Sequence, residues 1–156
     1  MEIALVRHTE VGRNGITPSG LILADHAAEQ LKNTGFKEVP VISSPAERAV
    51  KTAEHIGKII NATYVTHLED GKPYSYKWYA HAINAQEIID VTFEHIGEQE
   101  RAAVSGLVIV CHQPTLREIV GVDDTITEKL CSTVIVNENG SLIRALESQH
   151  SANRLQ

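Results

Sequence analysis

The stretch Leu107-Val108-Ile109-Val110-Cys111-His112-Gln113-Pro114 holds five consecutive apolar residues, then a histidine, and a proline two places later. An apolar run this short and this sharply bounded reads as a strand buried on both faces, not as a helix. The proline suits the first turn of a helix, where its missing N–H leaves no gap in the hydrogen bonding. The order is therefore strand, histidine, helix. The chain opens in the same way, because Ile3-Ala4-Leu5-Val6 is a brief apolar run that ends at Arg7-His8.

Between these two strands the alternation continues. Thr17-Pro18-Ser19-Gly20 supplies a side-chain cap and a proline at the first helical position, and Leu21, Ala24, Ala28 and Leu31 follow at helical spacing until Gly35, a natural stop. Val39 to Ser43 is the next strand-length run. Ser44-Pro45-Ala46-Glu47 has capping-box spacing and predicts a helix with its apolar face along Ala46, Ala49, Ala53, Ile56 and Ile60. Ala62 to Thr66 reads as a short strand, Glu69-Asp70-Gly71-Lys72-Pro73 as a loop, and Asn84 with Glu87 as the cap of a helix through Ile88, Ile89, Phe93 and Ile96. Near the end, Thr133 to Val136, the turn Asn137-Glu138-Asn139-Gly140 and Leu142 to Leu146 read as a hairpin. Strands alternating with helices imply an α/β fold: a three-layer sandwich with a mostly parallel central sheet and an antiparallel C-terminal edge hairpin.

Size and composition agree. A chain of 156 residues fits one domain, residues 1–156, and buries enough surface to need no disulfide or structural metal. With 14 Lys and Arg against 20 Asp and Glu the formal net charge is −6, the wrong sign for tracking nucleic-acid phosphates. No apolar run approaches the roughly 18–20 residues that cross a bilayer, and MEIALVRH starts on an acidic residue and is too short for a secretory signal, so the expectation is a cytoplasmic protein without a membrane partner. Cys111 and Cys131 have no C-x-x-C spacing and read as buried small apolar side chains.

In open α/β sheets ligands bind beyond the carboxyl ends of the strands. Three strand ends here carry Arg7-His8, Ser43-Ser44-Pro45 with Arg48 one turn into its helix, and His112. If those ends share one sheet edge, two histidines and two arginines converge beside helix N-termini. That combination suits a phosphate group.

At this point the chain resembles the histidine phosphatase superfamily, which includes the phosphoglycerate mutases and the small phosphohistidine phosphatases. Ser43-Ser44-Pro45-Ala46-Glu47-Arg48-Ala49-Val50-Lys51-Thr52-Ala53 is similar to the family's S-S-P-x-x-R-A-x-x-T-A segment. Arg7-His8 stands at its nucleophile motif, Val110-Cys111-His112-Gln113-Pro114 resembles the segment with its second histidine, and Thr17-Pro18-Ser19-Gly20 stands in place of its L-T-x-x-G. The resemblance implies a metal-independent, cofactor-free phosphatase in which His8 takes the phosphoryl group while Arg7, Arg48 and His112 hold its oxygens. Leu68-Glu69 resembles the element carrying the general acid, making Glu69 the first candidate and Asp70 the second. Asn14 falls where many relatives bind phosphate, and Glu10 where many carry glutamate. Thr9 departs from the usual glycine, so a β-branched residue must fit there and should tighten the pocket.

The expected substrate is a phosphorylated small molecule or a phosphorylated protein side chain. The alternative is a catalytically weak family member that binds phosphorylated ligands or a partner protein, and a further one is a phosphoglycerate-mutase-type phosphotransferase. A different chemistry is also spelled in the chain: Cys111 to Arg117 has the C-x-x-x-x-x-R spacing of cysteine-dependent phosphatases. Its intervening residues include no glycine, and Pro114 removes a backbone donor, which argues against a phosphate-cradling loop. His26, His55, His67, His81, His95 and His150 show no metal-ligand spacing, and Tyr74, Tyr76, Trp78 and Tyr79 read as packing or as a pocket wall.

Overall fold

The structure is a computed structural model that describes residues 1–69, 84–121 and 126–146. Its six-stranded sheet has the order β5-β4-β6-β1-β7-β8, with β1 at Glu2–Arg7, β4 at Val41–Ser43, β5 at Val65–His67, β6 at Gly106–Cys111, β7 at Thr133–Val136 and β8 at Leu142–Leu146. The first four run parallel, and β7 and β8 form the antiparallel hairpin at the edge beside β1. The three-layer reading is correct.

Alternation along the strands explains the layering, because successive side chains point to opposite faces. Ile3, Leu5, Leu107 and Ile109 face one side, where they pack with Ile88, Ile89 and Phe93 of α3 (Ala85–Ile96) and Leu116 of α5 (Gln113–Val120). Ala4, Val6, Val108 and Val110 face the other, against Ala28 and Leu31 of α1 (Pro18–Asn33) and Ala49, Ala53 and Ile56 of α2 (Glu47–Ile59). Every residue of β6 is buried, as expected of a central parallel strand covered on both faces.

The ends of α1 follow the sequence. The Gly20 N–H donates to Thr17 Oγ1 at 3.1 Å. At the other end Gly35 takes φ +97°, and the Phe36 and Gly35 N–H groups donate to the carbonyls of Leu31 and Lys32. This closes the helix in the glycine-dependent manner anticipated. Asn84 caps α3 as expected, accepting from the Glu87 N–H at 2.8 Å.

Three boundaries need correction. The strand expected from Val39 begins at Val41, because Pro40 has no N–H to give to a neighbouring strand. The strand expected from Ala62 begins at Val65, because the Ala62 N–H turns back to the Gly57 carbonyl at 2.9 Å after Asn61 takes a left-handed φ of 55°. The third concerns α2: its N-cap is Ala46, with no side-chain cap bond, so Ser44 and Glu47 do not form a capping box. Three elements were not anticipated: the small hairpin of β2 (Val11–Gly12) and β3 (Gly15–Ile16), the short helix α4 (Glu98–Ala103) and the single helical turn Ile126–Glu128. Strands of two residues carry no periodicity to read, although Asn14-Gly15 is a hairpin signal.

Candidate active site

The ladder that builds the sheet also assembles the site. Arg7 lies opposite Cys111 in the β1–β6 register, and one step further the His8 N–H donates to the Cys111 carbonyl at 3.1 Å. The Ser44 N–H donates to the Val110 carbonyl at 3.1 Å. His8, His112 and Ser44 therefore leave adjacent strands at one edge. The two imidazole rings stand 5.3 Å apart between centroids, tilted by 58°.

Arg48 enters from the first turn of α2, and its Nε–H donates to His8 Nε2 at 3.1 Å. His8 Nδ1 lies 2.8 Å from the Thr9 carbonyl. Since a carbonyl only accepts, these partners assign the proton to Nδ1 and leave the Nε2 lone pair facing the arginine. Arg7 is held from the other side, its Nη1 donating to the carbonyls of Thr127 at 3.1 Å and Glu128 at 2.8 Å in the single helical turn Ile126–Glu128. Thus the four residues expected to converge do so.

Electrostatics favours neutral imidazoles. Burial, opposed by the Thr9 hydrogen bond and helped by Arg48 and Arg7, lowers the His8 pKa to about 4. Burial lowers that of His112 further, to about 3, with His8 and the two arginines adding to the effect. Both rings are uncharged at pH 7, and His8 offers a lone pair. Burial also lowers the Arg7 pKa, with Arg48 acting in the same direction and Cys131 against it.

Ser44 explains the failed capping box. Its hydroxyl lies 2.8 Å from His112 Nε2 and only weakly engages the Ala46 N–H at 3.4 Å. Sequence spacing could not show this, because the partner is 68 residues away. Thr9 also differs from its expected role: it is fully buried and its hydroxyl donates to the Gly20 carbonyl at 2.7 Å, so its side chain anchors α1 and does not narrow the pocket.

The remaining candidates sit further out. Asn14 is exposed in the β2–β3 turn, and Glu69 is exposed just after β5, at the outer end of the same sheet edge. Glu10 accepts from Thr17 Oγ1 at 2.7 Å and Ser19 Oγ at 3.2 Å, which ties it to the cap of α1. Asp70, Tyr74, Tyr76, Trp78, Tyr79, His81 and His150 lie outside the described residues. His55 pairs with Asp25 across α1 and α2. Among the described residues no group of histidine, cysteine and carboxylate side chains could hold a metal ion, and no helix is long and apolar enough to cross a membrane.

The cysteine alternative is overturned. Cys111 is fully buried in the apolar core with Leu116, and burial raises its thiol to about 12. The segment after it is helix α5, with Arg117 exposed on its far half, so no loop of amides faces the sulfur.

One edge of the α/β sheet thus presents two histidines with lowered pKa values and two arginines. Residues 3–71 match the model of the histidine phosphatase superfamily (branch 1), a span that takes in Arg7, His8, Arg48 and Glu69 and stops short of His112. The protein histidine phosphatase SixA complexed with tungstate superposes with a TM-score of 0.62 at 15% identity, covering 95% of this chain and 96% of that one. A protein from Agrobacterium tumefaciens assigned as the phosphohistidine phosphatase SixA gives 0.63 at 17% identity, covering 94% and 97%. A phosphoserine phosphatase from Entamoeba histolytica, in complex with 3-phosphoglyceric acid, gives 0.56 at 17%, covering 96% and 98%. A search of curated proteins found no significant match. At such identities structural likeness speaks for the fold alone. Residues 3–71 are thus similar in sequence to the histidine phosphatase superfamily, and the fold of these solved structures extends over nearly all of the chain.

Proposed function

We propose that the protein is a metal-independent phosphatase that hydrolyses a phosphate monoester or a phosphohistidine through a covalent intermediate on His8. The observation that carries this reading is the bonding of one ring: Nδ1–H is committed to the Thr9 carbonyl, while Nε2 keeps its lone pair at 3.1 Å from Arg48 and beside His112. A neutral imidazole so oriented needs no proton removed before it attacks.

The substrate phosphoryl group takes the position that Arg48 now faces. Arg7, Arg48, His112 and Asn14 bind its oxygens, and the two guanidinium groups offset the charge that spreads over them in the transition state. His8 Nε2 forms the N–P bond as the bond from phosphorus to the leaving oxygen or nitrogen breaks. Glu69 gives a proton to that leaving atom. Water then attacks phosphorus as it gives a proton back to the Glu69 carboxylate, the N–P bond breaks, inorganic phosphate departs and His8 recovers its lone pair. The imidazole of a phosphohistidine is a good leaving group and asks little of the acid. This fits an acid placed at the outer end of the site. The relatives named as phosphohistidine and phosphoserine phosphatases support the substrate class, a phosphorylated protein side chain or a small phosphorylated metabolite.

Hydrolysis of p-nitrophenyl phosphate by wild type and His8→Ala tests the proposal. The expected result is a loss of at least 1,000-fold in the variant, on the order of what removal of a nucleophile costs. In wild type, rapid quenching should trap phosphate on the protein that is labile in acid and stable in base. Equal rates in the two proteins, or an acid-stable phosphoenzyme, would remove His8 from the mechanism.

A further inference from the structure

Thr9 makes three bonds, and each reaches a different part of the site. Its carbonyl accepts from His8 Nδ1 at 2.8 Å. Its N–H donates to Thr52 Oγ1 of α2 at 3.0 Å, and the Thr52 hydroxyl donates in turn to the Arg48 carbonyl at 2.7 Å. Since Arg48 Nε donates to His8 Nε2 at 3.1 Å, these four bonds form a closed circuit through His8, Thr9, Thr52 and Arg48. The third group, the Thr9 hydroxyl, stands outside the circuit and pins it to α1 through the Gly20 carbonyl at 2.7 Å. Gly20 is pressed against this loop closely enough that a Cβ there would lie 2.5 Å from the Glu10 carbonyl oxygen. Thr9, Gly20 and Thr52 are buried, while His8 is partly buried and Arg48 reaches the surface.

We propose that Thr9 is a positioning residue whose hydroxyl, anchored on α1, holds the His8–Thr9–Thr52–Arg48 circuit closed and so keeps the nucleophile in its Nδ1–H tautomer. The inference rests on the reading of His8 as the nucleophile. Its physical content is simple. If the Thr9 peptide turns, Nδ1–H loses its acceptor, the proton moves to Nε2, and the atom that must attack phosphorus no longer carries a lone pair. The glycine of the resembling family members would keep the N–H and the carbonyl and lose the tether. In this chain the tether is the Thr9 side-chain oxygen, bonded to the Gly20 carbonyl of α1.

Valine has the shape of threonine without the hydroxyl, and serine keeps the hydroxyl without the branch. Thr9→Val is expected to lower kcat on p-nitrophenyl phosphate about tenfold or more, since small misplacements of a reacting group are costly. The inhibition constant for inorganic phosphate should change less than threefold, because Arg7 and His112 keep their places. Thr9→Ser should recover at least half of kcat. Long-range ¹H–¹⁵N spectra, with the His8 signals assigned by their absence in His8→Ala, should show one Nδ1–H tautomer in wild type and Thr9→Ser and a mixture in Thr9→Val. Thr52→Val opens the same circuit from the α2 side and should give the same mixture, so the test does not depend on one variant folding. The tautomer readout needs no turnover and separates this inference from the phosphatase reading. Wild-type kcat and a single His8 tautomer in both valine variants would overturn it, even if His8→Ala were inactive.

Discussion

His8 is charged or neutral according to its surroundings, and its surroundings favour neutrality. The pKa of about 4 means that the free enzyme keeps its nucleophile unprotonated through pH 5, where an ordinary imidazole would be almost fully protonated. The acid limb of kcat/KM reports groups of the free enzyme and free substrate. With the second ionisation of the aryl phosphate, near pH 6, measured separately and removed, the remaining limb should fall near 4. A remaining limb at 6.5 or above would mean that the ring is not desolvated as described. Arg7, His8, Arg48 and His112 were legible because each lies at a strand end or one turn into the following helix, where chain order alone predicts a shared edge. Ser44, Thr9 and Thr52 were not legible as site residues. Their roles depend on hydrogen bonds to partners 68, 11 and 43 positions away, and a threonine in a sequence does not show which carbonyl its hydroxyl will meet.

Among the elements, α1 shows how a helix placed for packing also serves the site. Thr17 caps it, Glu10 bonds that cap, and Gly20 in its first turn lies against the backbone of the Thr9–Glu10 loop. Alanine at position 20 would raise intrinsic helix propensity by roughly 1 kcal/mol. Its Cβ would also sit 2.5 Å from the Glu10 carbonyl oxygen, a backbone atom that cannot swing aside. The clash should win, because forcing extra volume into a packed contact costs roughly 1–3 kcal/mol and often more where only backbone can yield. Gly20→Ala is therefore expected to lower the midpoint of urea unfolding with an unchanged slope, and to reduce kcat through the shifted Thr9 anchor. A midpoint equal to or above that of wild type would contradict the close approach. Helix starts and stops were legible at Thr17, Gly35 and Asn84 because each cap is satisfied within four residues of itself. The capping box at Ser44 was misread because a buried imidazole from another strand competes for the same hydroxyl and takes it.

For the whole molecule, the two lowered imidazoles tie folding to pH. His8 and His112 titrate near 6.5 when unfolded, and near 4 and 3 when folded. Between those values the unfolded chain binds protons that the folded chain refuses, so stability must fall as pH falls. The stability that neutral rings permit is fully present above pH 6.5 and is lost progressively on acidification toward the folded pKa values. Each ring contributes a slope approaching about 1.4 kcal/mol per pH unit within that window. Carboxylates of ordinary pKa change little above pH 5, which leaves the interval from 6.5 to 5 to the histidines. Urea unfolding at pH 7 and pH 5 should therefore show a clear loss of stability in wild type. The double variant His8→Asn, His112→Asn should lose distinctly less over the same interval, whatever its stability at pH 7, because neither asparagine can take a proton in the unfolded chain. Equal losses in the two proteins would mean that the folded site accepts protons as readily as water does, and that the strand ends do not enclose the rings.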